Sequence, residues 1–311
     1  MTTARTIRVW LPEPGWVEAM GGLPDGMTAD VWTGGEQLPD SAGQVEVVVL
    51  PFGVPGSRLP MLAKLPDLRL VQLMSAGAER VIPHVPAGVT LCNARGAHDP
   101  AVAEWIMAVI LAQVRGLPAF ARAQQAETWR PTAGEPLAGQ TVLIVGYGSI
   151  GAAVERLLAP FGVTVERVAR RARHGVSSLD DLPGLLPQAD IVILLVPVTP
   201  ATVKLADARF LGLMHDHALL VNAARGAVVD TDALLAELTA GRLRAALDVT
   251  DPEPLPDGHP LWDLENCIVT PHTADTIEMV IPLLADRIRT NVRRLVAGEP
   301  LVGLVDASAG Y

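Results

Sequence analysis

Three polar residues each follow a short apolar run that ends in turn residues. Arg225 comes after Ala218–Asn222, in Val221-Asn222-Ala223-Ala224-Arg225-Gly226. Glu253 follows Ala245–Val249, and His272 follows Cys267–Thr270 in Thr270-Pro271-His272-Thr273. If these runs are neighbouring parallel strands, the three side chains gather beyond the carboxyl ends, where open α/β sheets take their ligands. Together the types suit reduction of a 2-oxo acid. A developing alkoxide needs a proton donor, and histidine serves near neutral pH. A carboxylate beside the imidazole favours its protonated form. A guanidinium grips a substrate carboxylate through two parallel hydrogen bonds and polarises the carbonyl. This assigns His272 as acid/base, Glu253 as its partner and Arg225 as substrate anchor. Each residue alone is more often structural or solvated, so the assignment rests on their joint placement on one sheet edge.

Such a reduction needs a hydride source, and the chain carries a signature for one. Gly146-Tyr147-Gly148-Ser149-Ile150-Gly151 follows the apolar run Thr141–Val145 and opens a helical pattern. In that context Gly146 permits the tight turn, Gly148 lets the backbone approach a pyrophosphate, and Gly151 lets helix and strand pack closely. The residue that reads the adenosine ribose lies at the end of the next strand, Val163–Val168. A site selective for NAD carries Asp or Glu there. This chain has Ala169, followed by Arg170, Arg171 and Arg173. A missing acid and nearby guanidinium groups favour a 2′-phosphate, so NADPH is the expected cofactor, with NAD possible. Glu166 lies before the strand end by strand alternation, away from the ribose position. No metal is expected: His215 and His217 are two apart with no further ligand nearby.

The elements that must hold these residues follow from pattern. Ile7–Leu11, Val45–Leu50, Leu68–Leu73 and Val89–Cys92 read as strands of a first small α/β unit, separated by Pro- and Gly-rich punctuation. Ala101–Arg115 has helical periodicity through Val102, Trp105, Ile106, Val109, Ile110 and Val114. A second strand–helix series then runs through Thr141–Val145, a helix at Ile150–Phe161, Val163–Val168, Ile191–Leu195, Ala218–Asn222, Ala245–Val249 and Cys267–Thr270. A helix at Asp232–Ala240 has Asp230 or Thr231 as N-cap and Gly241 past its end. Alternation of this kind implies a doubly wound parallel sheet, the Rossmann arrangement. A last amphipathic helix, Ala274–Ala297, closed by Gly298, is expected to return to the first unit.

Composition narrows the class. The chain has 311 residues, half of them hydrophobic and 19% charged, enough for two buried cores and too apolar for disorder. A net charge of −10 argues against a nucleic-acid partner. Cys92 and Cys267 are far apart without CxxC spacing, which suits a reducing compartment. The N-terminus shows no apolar signal region, and the most apolar run, Ile191–Val198, is too short to span a bilayer. A cytoplasmic location and no membrane association are expected.

At these residues the chain resembles the D-isomer-specific 2-hydroxyacid dehydrogenase family. The similar stretches, in order, are GYGSIG (Gly146–Gly151), LLVPVTPATVKL (Leu194–Leu205), LVNAARGAVVDTDAL (Leu220–Leu234), ALDVTDPEPLPDGHPLW (Ala246–Trp262) and VTPHTADT (Val269–Thr276). The resemblance implies Arg225, Glu253 and His272 in the roles above. It adds cofactor contacts at Val196, Pro197, Thr202 and Ala223, with Asp248 near the nicotinamide carboxamide. Ser75-Ala76-Gly77-Ala78 resembles the family loop whose amides hold the substrate carboxylate, through Ala76 and Gly77. It implies a smaller flavodoxin-like α/β substrate domain made of 1–96 and 275–311 around a dinucleotide domain of 97–274. It also implies a homodimer. Ala169, 18 positions past Gly151, departs from the Asp of NAD-using members and resembles the NADPH-dependent glyoxylate/hydroxypyruvate reductases. Glu253 differs from the Gln expected in the formate dehydrogenase branch.

The expected activity is therefore reduction of a small 2-oxo acid, glyoxylate- or hydroxypyruvate-like, to the D-2-hydroxy acid. One alternative is a non-catalytic nucleotide-sensing module resembling the family's corepressors, which retain such residues; partner-binding tails would mark it, and none is evident. Another is NAD-dependent oxidation of a different small acid. Phe52, in Leu50-Pro51-Phe52-Gly53, is either a pocket wall or a core aromatic.

Overall fold

The apolar runs become two parallel sheets. The computed structural model describes residues 6–131, 134–275 and 277–306. Two compact units divide them: one holds the described residues of Met1–His98 and Ile277–Tyr311, the other Asp99–Thr276.

In the first unit, β1 (Ile7–Leu11) leads through a one-turn helix, α1 (Trp16–Ala19), to β2 (Met27–Val31). Then follow β3 (Val47–Leu50), β4 (Leu70–Leu73) and β5 (Thr90–Cys92). The order β2-β1-β3-β4-β5, parallel throughout, is the flavodoxin-like one. Every residue of β3 and β4 is buried; β3 is an unbroken apolar run, and β4 is interrupted only by Gln72, whose Nε2 donates to Leu73 O.

The second unit begins with α2 (Asp99–Val114) and α3 (Leu117–Gln125), then β6 (Thr141–Val145), α4 (Ser149–Leu158) and β7 (Thr164–Val168). It continues with α5 (Leu182–Leu185), β8 (Ile191–Leu194), α6 (Ala208–Leu213), β9 (Leu219–Asn222) and α7 (Thr231–Thr239). It ends with β10 (Arg244–Leu247) and β11 (Cys267–Val269). The last helix, α8 (Ile277–Ala297), lies in the first unit. The sheet order β11-β10-β9-β8-β6-β7 reverses direction at β6, making a doubly wound sheet with its switch point between β6 and β8. Two apolar layers cover the sheet, one including Leu143, Val192 and Leu220 and the other Val142, Ile193 and Val221.

Local chemistry sets several boundaries. Asp230 caps α7 by accepting from Ala233 N, and Gly241 follows at φ +69. The helix expected at Ile150–Phe161 is α-helical only to Leu158; Ala159–Phe161, which contains Pro160, is a 3-10 turn. Five elements escaped the pattern reading: α1, β2, α3, α5 and α6. No single described helix is long and apolar enough to cross a membrane, although α2 and α3 pass that test as a bent pair. Nine residues of α2 are buried, and it packs on α4, as a core helix does. Cys92 and Cys267 are free and buried; burial pushes their thiols up to about 11 and about 12.

Candidate active site

β6 ends at Val145, and Gly146 turns the chain at φ +110. A Cβ here would stand 2.5 Å from the carbonyl carbon of Leu195 and 2.8 Å from Val196 N. The turn after β6 thus lies flat against the backbone leaving β8, at the switch point, and only glycine permits that approach. Gly148 is the N-cap of α4 and no side chain caps the helix. The first amides of a ten-residue helix are therefore left for an external acceptor, with the positive end of the helix dipole behind them. Such a cradle fits a pyrophosphate. Ser149 Oγ donates to Asp99 Oδ1 at 3.2 Å, and Tyr147 to Ile150 are partly buried along this edge.

Tyr147 is fixed by a network that the sequence did not reveal. Its hydroxyl donates to Glu155 Oε2 at 2.5 Å, and Arg167 grips the same carboxylate through Nε (2.8 Å) and Nη2. The Arg167 hydrogen bond holds the Glu155 carboxyl below its ordinary range, while the Tyr147–Glu155 bond pushes the phenol up. Arg173 Nη2 donates to Tyr147 O at 2.7 Å, and its guanidinium lies 5.8 Å from the ring centre. Ala169 follows β7, and its N–H donates to Ser177 O. With the mutual Arg173–Val176 bonds, this pins the loop on which Arg170 and Arg171 are exposed. The acid-free position and the arginines thus stand on one ordered loop beside the glycine turn.

After β8, Val196 is buried and Pro197 partly so. Thr202 Oγ1 donates to Pro197 O at 2.5 Å and accepts from Thr199 N at 2.8 Å. Its hydroxyl therefore shapes the Val196–Thr199 loop from within. After β9, Asn222 is buried: its Oδ1 accepts from Ala224 N (3.0 Å) and its Nδ2 donates to Arg225 O (3.1 Å). Ala223, partly buried, lies inside this turn, and Arg225 leaves it in extended backbone with Nη1 donating to Ala224 O.

Gly226 meets the loop after β10 directly. A Cβ there would lie 1.9 Å from Thr250 O, so the Arg225 turn and the Glu253 loop touch backbone to backbone. Gly226→Ala must push Thr250 away, and forced overpacking costs about 1–3 kcal/mol. The variant is expected to melt at lower temperature and to lose about tenfold or more in kcat as the two loops part. Thermal melting and steady-state rates check this; parental values in both would show that the contact has no consequence.

The structure brings His272 and Glu253 together: Nδ1 stands 2.6 Å from Oε1. Both side chains are roughly half exposed, so the pair adds little stability, about 0–1 kcal/mol, and its effect is orientation. His272 sits at φ +54, a left-handed conformation that non-glycine residues seldom adopt. Its N–H donates to Asp248 O (2.8 Å) and Thr270 O (3.0 Å). With Nδ1 engaged by Glu253, Nε2 is the nitrogen left for a reacting atom.

In the first unit, the loop after β4 has its carbonyls taken. Ser75 O accepts from Ala94 N, Ala76 O from Asn93 Nδ2 (2.9 Å) and Gly77 O from Ser75 Oγ (2.8 Å). Carbonyl and N–H of a trans peptide point opposite ways, so the amides of Ala76 and Gly77 face away from residues 93–94. Phe52 is exposed and edge-on to His98, so it is no core aromatic.

Comparison with known proteins adds a family to this geometry. The model of the D-isomer specific 2-hydroxyacid dehydrogenase NAD binding domain matches residues 107–274. A glycerate dehydrogenase of Methylorubrum extorquens is 33% identical over 257 residues, covering 78% of this chain and 81% of the relative. A D-isomer specific 2-hydroxyacid dehydrogenase of Xanthobacter autotrophicus Py2, solved with NADPH and MES, superimposes with a TM-score of 0.84 at 31% identity, covering 99% and 100% of the chains. An NADPH-dependent glyoxylate/hydroxypyruvate reductase of Sinorhizobium meliloti, solved with NADP and sulfate, superimposes with a TM-score of 0.85 at 26% identity, covering 99% and 100% of the chains.

Proposed function

Because the chain belongs to the D-isomer specific 2-hydroxyacid dehydrogenase family, whose enzymes use NAD(P), we propose that it reduces a small 2-oxo acid to the D-2-hydroxy acid. The substrate is of the glyoxylate or hydroxypyruvate kind, the cofactor NADPH, and the proton donor His272. The observation that carries the reading is the 2.6 Å His272–Glu253 pair at the sheet edge that also holds the glycine turn and Arg225. The test is nicotinamide absorbance, followed with NADPH and with NADH against a panel of 2-oxo acids. Oxidation of NADPH by glyoxylate or hydroxypyruvate supports the reading; no turnover with any 2-oxo acid overturns it.

The residues divide the work. When bound, the nicotinamide supplies the hydride. The glycine turn and the amides of α4 hold the pyrophosphate, and the Val196–Thr199 loop, shaped by Thr202, lies beside it at the switch point. Arg225 takes the substrate carboxylate and polarises the carbonyl; the amides of Ala76 and Gly77 are the first unit's own donors for a carboxylate. Glu253 holds Nδ1–H of His272, so Nε2–H points outward and protonates the carbonyl oxygen as the hydride arrives.

Preference for NADPH is assigned to Arg170 and Arg171 beside Ala169. Charge-assisted hydrogen bonds contribute about 1.5–3 kcal/mol each, and about 1.4 kcal/mol is tenfold in affinity. Replacing both arginines with alanine is expected to weaken NADPH binding by about tenfold or more while leaving NADH nearly unchanged. Fluorescence titration reads both; equal loss for the two coenzymes would remove the arginines from phosphate recognition.

Two wider expectations accompany this reading. A homodimer is supported by Trp129, 97% exposed, and by exposed Leu117 near it in sequence, apolar surface that a second copy would cover. Sedimentation equilibrium of the chain and of Trp129→Glu tests it, and a monomeric parent would exclude it. A cytoplasmic site of action agrees with two free, buried thiols.

A further inference from the structure

The turn that carries His272 has one organiser. Asp248 stands just past β10 and is only 3% exposed. Its Oδ1 accepts from Thr270 Oγ1 at 2.6 Å and from Thr273 N at 2.8 Å, and its Oδ2 accepts from Ala274 N at 3.0 Å. Its backbone carbonyl accepts from His272 N at 2.8 Å. Four residues of the turn thus bond to one aspartate. The N–H of Asp248 in turn donates to Asn222 O at 3.0 Å, and Asn222 shapes the turn before Arg225.

A carboxylate offers about four acceptor sites, and here three are spent inside the protein on a buried residue. The remaining demand on the turn is a histidine in left-handed backbone, a conformation that persists only where surrounding structure over-determines it. We infer that Asp248 is a positioning residue for His272: its carboxylate builds the turn that aims the imidazole. The inference rests on the reading of His272 as proton donor.

Asp248→Asn keeps the size of the side chain but presents an NH2 group where Ala274 N–H needs an acceptor, or loses the two bonds to the other oxygen. Thr270→Val removes a single bond and leaves the carboxylate in place. Three readouts separate the roles. Hydrogen–deuterium exchange at Thr273 and Ala274 is expected to rise about tenfold or more in Asp248→Asn, and less in Thr270→Val, with the amides of Ser149–Gly151 unchanged. The kcat falls in the same order, by about tenfold for Asp248→Asn. The Kd for NADPH, from nicotinamide fluorescence, stays within about twofold of the parent. Parental exchange at Thr273 and Ala274 together with weakened NADPH binding would overturn the inference and place Asp248 on the coenzyme. If Asp248→Asn does not fold, Thr270→Val decides through the same exchange and affinity readouts. A parent that turned over no 2-oxo acid would remove the reductase reading, while exchange and NADPH affinity would still report on Asp248.

Discussion

His272→Ala is expected to lower kcat by about 10²–10⁴-fold, the usual contribution of a positioned acid–base group, with cofactor affinity close to that of the parent. The size follows from what the imidazole alone supplies. Its Nδ1 is tied to Glu253 Oε1 at 2.6 Å and its backbone is tied to Asp248 and Thr270, so Nε2 has one direction in which to act. Alanine leaves the developing alkoxide to be protonated by water, which lacks both the aim and the acidity of an imidazolium. Glu253→Gln should do less harm. The amide oxygen can still accept from Nδ1–H, but without the charge that assists that hydrogen bond. That ranking, His272→Ala far below Glu253→Gln, is read from steady-state rates at saturating coenzyme. Equal losses would make the carboxylate a partner in the chemistry rather than in orientation.

Arg225→Ala is expected to cost about as much, but in a different parameter. Two charge-assisted hydrogen bonds at about 1.5–3 kcal/mol each correspond to about 10²–10⁴ in kcat/KM for the oxo acid. Apart from Nη1 donating to Ala224 O, the scaffold under this arginine is held by other groups. Asn222 holds Ala224 N and Arg225 O, and Gly226 sits against Thr250 whichever residue precedes it. The loss should therefore report on substrate rather than on a collapsed loop. Arg225→Lys keeps the charge but not the planar fork, so it should recover only a small part of the loss. An inhibitor lacking a carboxylate should bind parent and variant alike. Unchanged kcat/KM in Arg225→Ala would move the substrate anchor elsewhere.

Much of this site was legible because strand ends announce themselves. Pro197, Gly226 and Asp248 follow the mostly apolar runs of β8, β9 and β10 within a few positions, and the residues of interest lie close to them in sequence. The glycine turn was legible for the same reason: its strand and its helix flank it in sequence. What stayed hidden was made of contacts between elements. Glu155 on α4 and Arg167 on β7 meet at Tyr147, and no spacing rule links them. Thr202 reads as a cofactor contact by resemblance, yet its hydroxyl is turned into its own loop. Asp248 reads likewise, while its buried carboxylate serves the turn after β11. The helix expected from Ala274 is described from Ile277, after the turn that Asp248 holds. β2 was missed because Met27–Val31 is an edge strand with only its first residue buried, so its pattern is not an apolar run. α3 was missed because none of its residues is buried.

The most direct test of proton donation by His272 is a single-turnover measurement. NADPH oxidation by glyoxylate or hydroxypyruvate is followed by stopped flow in H2O and in D2O, for the parent and for His272→Ala. The parent should slow in D2O because a proton moves from the imidazole during the reaction, and the variant should be slower than the parent by about 10²-fold or more. A parent rate that is the same in both solvents, with hydride transfer limiting, or a variant that keeps the parent's rate, would contradict a proton passing from His272.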